Sequence, residues 1–177
     1  TGRVVAWGTA ANGATVPAAI GDLVDIEEVV AAGQAFAALR TTGHVVAWGL
    51  AANGGTVPTD IAGLTDIKVV LGSYGAFAAY RGNGRIVAWG HADYGGSVPA
   101  DIAAMTDIIE LSCANARAIT ARRATGQVVA WGTAAYGGTI DPLIGGLTDI
   151  VEVCSTWRAF AARRRNGHVV AWGTPAE

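Results

Sequence analysis

Residues 45–49 read Val-Val-Ala-Trp-Gly, and this pentapeptide or a near copy occurs five times, with its Trp at positions 7, 48, 89, 131 and 172. The intervals between these Trp residues are 41, 41, 42 and 41 residues. A period this regular means that one supersecondary unit is repeated along the chain. We therefore expect a single repeat domain over residues 1–177, belonging to a longer ring, array or oligomer, with repeats that start near Gly2, Gly43, Gly84, Gly126 and Gly167.

Residues 43–84 show the strands that one repeat predicts. The first strand is Asp-Ile-Lys-Val-Val-Leu (66–71), the second Ala-Phe-Ala-Ala-Tyr-Arg (76–81), the third His-Val-Val-Ala-Trp-Gly (44–49) and the fourth Thr-Val-Pro (56–58). Glycine and asparagine between β-branched or aromatic runs are typical of hairpins, and no stretch keeps a 3.6-residue apolar period. Because proline has no N–H to donate, the fourth strand is expected at the outer edge of the sheet.

The second and third strands are apolar on both faces. Val45 and Ala47 share one face, and Val46 and Trp48 share the other. A sheet with one solvated face would alternate apolar and polar residues, so both faces should be covered by neighbouring sheets. The fold expected is all-β: a β-propeller-like array of about four four-stranded antiparallel blades. A linear β-solenoid of the same repeats is the alternative.

The unit Gly-x-Val-Val-Ala-Trp-Gly, followed by Asn-Gly-Gly, Val-Pro and Asp-Ile, resembles the regulator of chromosome condensation repeat over the entire chain. It looks most like the short, nearly perfect versions found in many bacterial proteins. The resemblance implies a β-propeller and favours a secreted or cell-surface location, although the sequence leaves the compartment unknown. Where family repeats often have His before the second strand, this chain has Ala35, Ala76, Ala118 and Ala159. No insertion is large enough to be the loop through which the founding member acts as a nucleotide exchange factor and chromatin binder.

The strand count places a limit on ring closure. The chain contains five third strands but four of each other kind. A closed ring of four blades would leave one Trp-Gly strand without a place. We therefore expect the chain to continue into a longer ring or array, or to be completed by another copy through head-to-tail contacts.

Composition excludes several classes of protein. Apolar residues make up 51% of the chain and charged residues 15%, which argues against disorder. The net charge of −2 argues against binding to nucleic acid, and no apolar run reaches the ~18 residues that span a bilayer. The chain does not begin with Met and shows no signal peptide, so we interpret it as a processed or excised piece.

No motif points to catalysis, a metal or a cofactor. Nucleophile elbows, Walker-type loops and His-Glu-x-x-His are all missing from the sequence. Cys113 and Cys154 lie 41 residues apart and fit two buried apolar side chains, or a disulfide between neighbouring repeats. The chain is therefore expected not to be an enzyme and to hold no cofactor or metal.

Charged residues repeat once per unit. Asp25, Asp66, Asp107 and Asp149 each precede an Ile, and we expect them to cap or hydrogen-bond a turn. Arg40, Arg81, Arg123 and Arg164 end the second strands. For these Arg residues, and for the run at 163–165, the alternatives are a solvated face and an anion or nucleic-acid patch.

The turns that vary between repeats suggest a binding surface. The turn between the first and second strands and the loop after the third strand should emerge at the same edge of a blade. They carry aromatic and Arg residues, which dominate binding hot spots: Tyr74, Trp157, Arg117, Arg158, Tyr94, Tyr136 and His91. The alternative is that Trp157 and the Tyr residues only pack against neighbouring blades.

The sequence is compatible with three functions. The preferred one is a non-enzymatic scaffold for binding or self-assembly, which recognises a protein or possibly a glycan through these loops. A regulator of a small GTPase that resembles an exchange factor is the alternative. A hydrolase comes third, since it would need an arrangement of acidic residues that the repeats do not show.

Overall fold

The computed structural model describes residues 2–112 and 117–174, in which the strands form four three-stranded antiparallel sheets, here called blades 1 to 4 in chain order. Blade 1 consists of β1 (Ile26–Ala32), β2 (Ala35–Arg40) and β3 (Val45–Gly49), and blade 2 of β4 (Ile67–Gly72), β5 (Ala76–Arg81) and β6 (Ile86–Gly90). Blade 3 consists of β7 (Ile108–Ser112), β8 (Ala118–Arg123) and β9 (Val128–Gly132), and blade 4 of β10 (Ile150–Ser155), β11 (Ala159–Arg164) and β12 (Val169–Gly173). The expected all-β array of about four blades is confirmed.

In the described part of the chain each blade has three strands, so the expected fourth strand is wrong. The Val-Pro segments at Pro17, Pro58 and Pro99 lead into one-turn helices. The carbonyl oxygen of Pro58 accepts the N–H of Ala62 at 2.8 Å. The fixed φ of proline, here −57° at Pro58, suits the entry to a helix, so these residues begin a helical turn rather than pairing at an edge.

Short helical segments precede each of the four blades. A 3-10 turn follows each Trp-Gly copy of the first four repeats and precedes a helix of one turn. The 3-10 turns are Ala10–Asn12, Ala51–Asn53, Ala92–Tyr94 and Ala134–Tyr136, and the helices are α1 (Ala18–Gly21), α2 (Thr59–Ala62), α3 (Ala100–Ala103) and α4 (Pro142–Gly145).

The blades pack face to face through apolar side chains. Ala37 and Val45 of blade 1 lie in one buried cluster with Phe77 and Trp89 of blade 2, and equivalent clusters join blade 2 to blade 3 and blade 3 to blade 4. Within blade 2, the ring of Trp89 stacks on that of Phe77 with centroids 5.2 Å apart. Burying a large apolar side chain is worth about 1.5–3 kcal/mol, so these interfaces hold the row of blades together. The expectation that inner strands are covered on both faces is met at these interfaces.

A hydrogen bond from each buried indole ties its blade to the turn that follows the preceding Trp-Gly copy. Trp89 Nε1 donates to the carbonyl oxygen of Gly54 at 3.0 Å, in the turn that precedes α2. Trp48, Trp131 and Trp172 make the same bond to Gly13, Gly95 and Gly137 at 2.9–3.2 Å. Because a buried indole N–H without an acceptor costs stability, this bond explains why each repeat places its Trp at the same point.

Each blade also has an equivalent ion pair between the Asp that precedes its first strand and the Arg that ends its second strand. Arg40 lies 2.9 Å from Asp25, and the pairs Arg81–Asp66, Arg123–Asp107 and Arg164–Asp149 repeat this contact at 2.9–3.0 Å. The hydrogen bond from the guanidinium holds the pKa of the Asp25 and Asp149 carboxyls below its ordinary value, and the same bond raises the pKa of Arg164. The main-chain carbonyl of Asp25 does accept a turn N–H, from Thr41, but its carboxylate pairs with Arg instead of capping the turn.

The first Trp-Gly copy lies outside the sheets. Residues 4–8 form no strand, and Trp7 is 85% exposed, whereas the four Trp residues that end the third strands are at most 8% exposed. This segment is the Trp-Gly copy for which the sequence predicts no place among four blades, and it forms no strand.

For the described residues, the structure bears on three further expectations: the state of the cysteines, a metal site and a membrane span. Cys154 on β10 is exposed, so the expectation that it is a buried apolar side chain is wrong; its thiol forms no disulfide with any described residue, and Cys113 lies outside the described residues. Over residues 2–112 and 117–174 we find no group of three metal-ligating side chains. No helix in the same ranges has the length and apolar character needed to cross a membrane.

Candidate functional site

The variable turns meet at one edge of the blades. The turn between β4 and β5 lies beside the loop after β6, because His91 N donates to the carbonyl oxygen of Gly75 at 2.9 Å. Thr133 N bonds to Arg117 O at 2.8 Å in blade 3, and Thr174 N to Arg158 O at 3.1 Å in blade 4. Antiparallel connectivity thus brings the turn and the loop of each blade together, as the sequence predicts.

All seven residues singled out in the sequence lie in one continuous array of ring and guanidinium contacts. We call this array the aromatic–arginine ladder. It starts in blade 2, crosses the loops of blade 3 and ends in blade 4 with these members: Tyr74, His91, Tyr94, Arg117, Tyr136, Trp157 and Arg158.

Arg117 is the centre of the ladder. Its guanidinium carbon lies 4.6 Å from the ring centroid of Tyr74, 5.0 Å from that of Tyr94 and 5.3 Å from that of Tyr136. A cation over an aromatic face gains about 0.5–2 kcal/mol, more where water is excluded. The Nε of Arg117 is buried and has no hydrogen-bond partner among the described residues. Residues 113–116, which precede it in the predicted turn, lie outside the described part of the chain.

Arg158 repeats this arrangement one blade further along. Its guanidinium carbon lies 4.8 Å from the ring centroid of Trp157 and 5.4 Å from that of Tyr136. The rings of Tyr136 and Trp157 meet edge to face with centroids 6.1 Å apart. The ladder therefore alternates aromatic rings and guanidinium groups over three blades.

Two residues that the sequence analysis did not select hold the ladder in place. Ser73 Oγ is fully buried, donates to the carbonyl oxygen of Tyr94 at 2.7 Å and accepts the N–H of Ala76 at 3.1 Å. Thr133 Oγ1 donates to the carbonyl oxygen of Asp93 at 2.6 Å and so ties the loop of blade 3 to that of blade 2. The sequence indicates the supporting role of Ser73 only weakly, through a second hydroxyl at the equivalent position of blade 4, Thr156.

The ladder is open to solvent at both ends. Tyr74 is 43% exposed and Trp157 is 52% exposed, while Tyr94, Tyr136 and Arg117 are half-buried. Tyr136 also packs against the cluster between blades 3 and 4. Packing against neighbouring blades thus accounts for part of Tyr136 but not for Trp157.

Charge pairing distinguishes the two Arg residues of the ladder from the Arg residues at the ends of the second strands. Arg40, Arg81, Arg123 and Arg164 end strands and are neutralised by the Asp residues described above, and Arg122 and Arg163 pair with Glu110 and Glu152. Neither Arg117 nor Arg158 has a carboxylate partner among residues 2–112 and 117–174. The ladder consequently offers two guanidinium groups and flat aromatic surface to a ligand.

Comparison with known proteins gives a match in structure alone. No protein-family model matches the chain, and no curated protein sequence does so significantly. The structure of Prp20p from Saccharomyces cerevisiae, also called yeast RCC1, matches with a TM-score of 0.61 and 18% identity, over 84% of this chain and 44% of that one. Human WBSCR16 matches with a TM-score of 0.58 and 20% identity, over 86% of this chain and 48% of that one.

These likenesses identify the fold. The four blades match part of an RCC1-like β-propeller, which favours radial blades over the linear solenoid. The chain spans less than half the length of each of these two proteins. In the described residues the row of blades is unclosed, with blade 1 at one end and blade 4 at the other.

Proposed function

We propose that the chain is a non-enzymatic β-propeller scaffold that binds a protein partner through the aromatic–arginine ladder. Arg117 is the observation that carries this proposal. Its guanidinium is held among three tyrosine rings, and its Nε is buried with neither a hydrogen-bond partner nor a carboxylate among the described residues. A charge kept in place but unpaired is suited to a ligand that brings the opposite charge.

A protein ligand fits the ladder better than a glycan. A guanidinium takes a carboxylate with two parallel hydrogen bonds, which acidic side chains of a peptide supply and a neutral sugar does not. The exposed rings of Tyr74 and Trp157 would flank such a contact as rigid apolar anchors. The preferred ligand is therefore a peptide segment that combines acidic and aromatic or aliphatic residues.

Selection from a displayed random-peptide library tests this proposal. We expect the chain to enrich peptides rich in Asp and Glu, whose binding weakens about tenfold or more for Arg117→Ala and for the double variant Tyr74→Ser/Trp157→Ser. Arg85→Ala, which removes an exposed Arg outside the ladder, is the matched control and should bind as the parent does. Peptides that bind all four proteins equally would contradict the proposal.

The fold of the variants needs a separate control. Trp157 and Tyr74 are half-exposed, so their replacement by Ser should leave the melting temperature almost unchanged. A collapse of thermal stability would mean that the rings serve packing. Binding of the wild-type chain to a glycan array, but to no peptide, would move the ligand to the alternative class.

Self-assembly belongs to the same proposal. We infer that copies of the chain associate head to tail, because the outer faces of blade 1 and blade 4 correspond to faces that are buried at the inner interfaces. Light scattering after size exclusion, over a range of protein concentrations, would show a mass above that of one chain.

A regulator of a small GTPase is the second candidate. It is supported by the structural likeness to Prp20p, a protein whose reported binding partners are Gsp1p and histones. The test is release of a fluorescent guanine nucleotide from Gsp1p: acceleration by this chain would favour the second candidate.

The resemblance to bacterial-type repeats stays a prediction.

A further inference from the structure

The two ends of the row of blades expose faces that are buried everywhere else. Val29 on β1 is 44% exposed, whereas the equivalent Val70 on β4 is 1% exposed. At the other end Val169 on β12 is 65% exposed, whereas the equivalent Val45 on β3 is 2% exposed. The outer face of blade 1 is thus the kind of face that packs on a preceding blade, and the outer face of blade 4 is the kind that receives a following one.

Residues 2–8 partly cover the outer face of blade 1. Ile26 N donates to the carbonyl oxygen of Gly2 at 3.0 Å, as Ile67 N does to Gly43 O at 3.2 Å between blades 1 and 2. The segment therefore takes the place of the third strand of a preceding blade. The cover is incomplete, because a groove of about 540 Å³ remains between residues 2–7, residues 26–29, Phe36 and Trp48.

On the outer face of blade 4, no described residue makes the contact that a following blade makes at the other interfaces. An ideal Cβ on Gly43 would lie 2.2 Å from the carbonyl oxygen of Thr65, because the chain entering blade 2 passes directly over this glycine. The same approach occurs at Gly2, Gly84 and Gly126, but a Cβ on Gly167 would meet no atom of the described residues within 4 Å. Gly167, with φ +86°, has the backbone shape of the other four and lacks the neighbour.

The segment on blade 1 and the strand that ends blade 4 have almost the same sequence. Residues 2–8 read Gly-Arg-Val-Val-Ala-Trp-Gly and residues 167–173 read Gly-His-Val-Val-Ala-Trp-Gly. The Trp side chains of the two copies differ greatly in their contacts with the rest of the chain. Trp172 stacks on Phe160 with centroids 5.5 Å apart and bonds to Gly137 O at 3.2 Å, while Trp7 is largely exposed.

We propose that blade 4 of one copy docks on blade 1 of a second copy, and that Gly167 and β12 of the first copy replace residues 2–8 of the second. This rests on the proposed self-association and names its surfaces. The docked strand already belongs to a sheet, so it brings the shape of residues 2–8 together with the support of β10 and β11. The displaced residues give up few contacts because they form no strand and their Trp is already exposed.

Charge supports this choice of partner. Between blades 1 and 2, Lys68 lines a crevice together with Leu39 and Thr41. By the repeat, Glu27 stands at the position of Lys68, and Arg163 and Arg165 stand at the positions of Leu39 and Thr41. A docked pair would therefore place Glu27 of one copy beside the Arg run of the other, where Arg165 has no ion pair among the described residues.

One substitution made at two equivalent positions tests the proposal, with sedimentation equilibrium as the measurement. Val169→Asp puts a charge into the docked face and should weaken association at least about tenfold. Val4→Asp loosens the segment that must leave and should strengthen association. Because Val169 is exposed in the single chain, the circular dichroism and melting temperature of Val169→Asp should match those of the parent.

A charge exchange gives an independent check. Glu27→Lys and Arg165→Glu should each weaken association, and the double variant Glu27→Lys/Arg165→Glu should restore it. If Val4→Asp weakens association as Val169→Asp does, residues 2–8 are themselves the docking strand and the proposal is wrong. Association that none of these variants changes would also overturn it while leaving self-assembly in place. A wild-type chain that stays monomeric at every concentration would overturn both.

Discussion

Residues 4–8 and residues 169–173 have the same sequence, Val-Val-Ala-Trp-Gly, and opposite environments. The second copy is β12, which pairs with β11 in register from Val169 to Gly173 and buries its Trp. The first copy pairs with no described strand, forms no strand itself and exposes Trp7. A five-residue segment with high β-propensity therefore becomes a strand here only where a partner strand and a covering blade are present.

The same lesson applies to whole blades. Each inner interface joins the Trp-bearing face of one blade to the Ala- and Val-bearing face of the preceding one. Stability in such a row depends on contacts between neighbours, so equivalent residues should contribute very differently at inner and end positions.

The largest difference is expected between Trp89 and Trp7. Trp89→Ala removes a buried ring, its stack on Phe77 and its bond to Gly54, which should lower the free energy of unfolding by about 3–5 kcal/mol. Trp7→Ala should change it by no more than about 0.5 kcal/mol, since this side chain is exposed. Urea unfolding of both variants measures the contrast, and equal losses would show that Trp7 is packed like the others.

A smaller difference is expected between Gly43 and Gly167. Both glycines have a positive φ, +77° and +86°, so replacement by Ala should cost each about 1–2 kcal/mol in backbone strain. Gly43→Ala adds a collision with the carbonyl of Thr65, whereas Gly167→Ala meets open space. Thermal unfolding should therefore show a clearly larger loss for Gly43→Ala. Equal losses for the two variants would show that the chain entering blade 2 does not pass over Gly43.

The smallest effect is expected from the ion pair of an end blade. Because the pKa of Asp149 is lower in the folded chain than in the unfolded one, the folded state binds fewer protons on this group. The pair with Arg164 therefore stabilises the fold above the ordinary carboxyl pKa, and this stabilisation disappears as the pH falls through the lower folded value. Asp149→Asn should slightly lower stability at neutral pH and flatten its loss between neutral and acidic pH.

A matched control separates this effect from a general loss of charge. Asp101 in α3 is exposed and makes no ion pair within the described ranges. Asp101→Asn should leave the acid unfolding curve as in the parent chain. Identical curves for Asp149→Asn and Asp101→Asn would show that the Asp149–Arg164 contact does not contribute.

Much of the fold could be predicted from the repeat itself. The period of about 41 residues, the apolar second and third strands and the glycines between them specify four sheets that cover one another. The ladder could be predicted as well, because antiparallel connectivity brings the turn before the second strand and the loop after the third to one edge. Comparing Tyr74 and Trp157 with Gly33 at the same turn, and comparing the loops after the third strands in the same way, was enough to select its members.

Other features of the fold and of the ladder could not be predicted from the sequence. The Val-Pro segments look like edge strands in the sequence, and nothing local reveals that Pro58 starts a turn of helix. The Asp and Arg residues that repeat once per blade were treated separately because 15 residues separate Asp25 from Arg40, although the hairpin brings them together. The cation–π geometry of Arg117 depends on three loops from two blades, which no single turn could specify.

The packing of blade on blade predicts that four Trp side chains are shielded from solvent, whereas Trp7 and Trp157 are not. Exchange of the six indole N–H groups in D2O, followed by NMR on the chain with 15N-labelled Trp, measures this difference directly. The indoles of Trp48, Trp89, Trp131 and Trp172 bond to glycine carbonyls between blades and should stay protected for hours, while those of Trp7 and Trp157 exchange at once. Rapid exchange of all six, or lasting protection of Trp7, would contradict the packing of blades on which everything else depends.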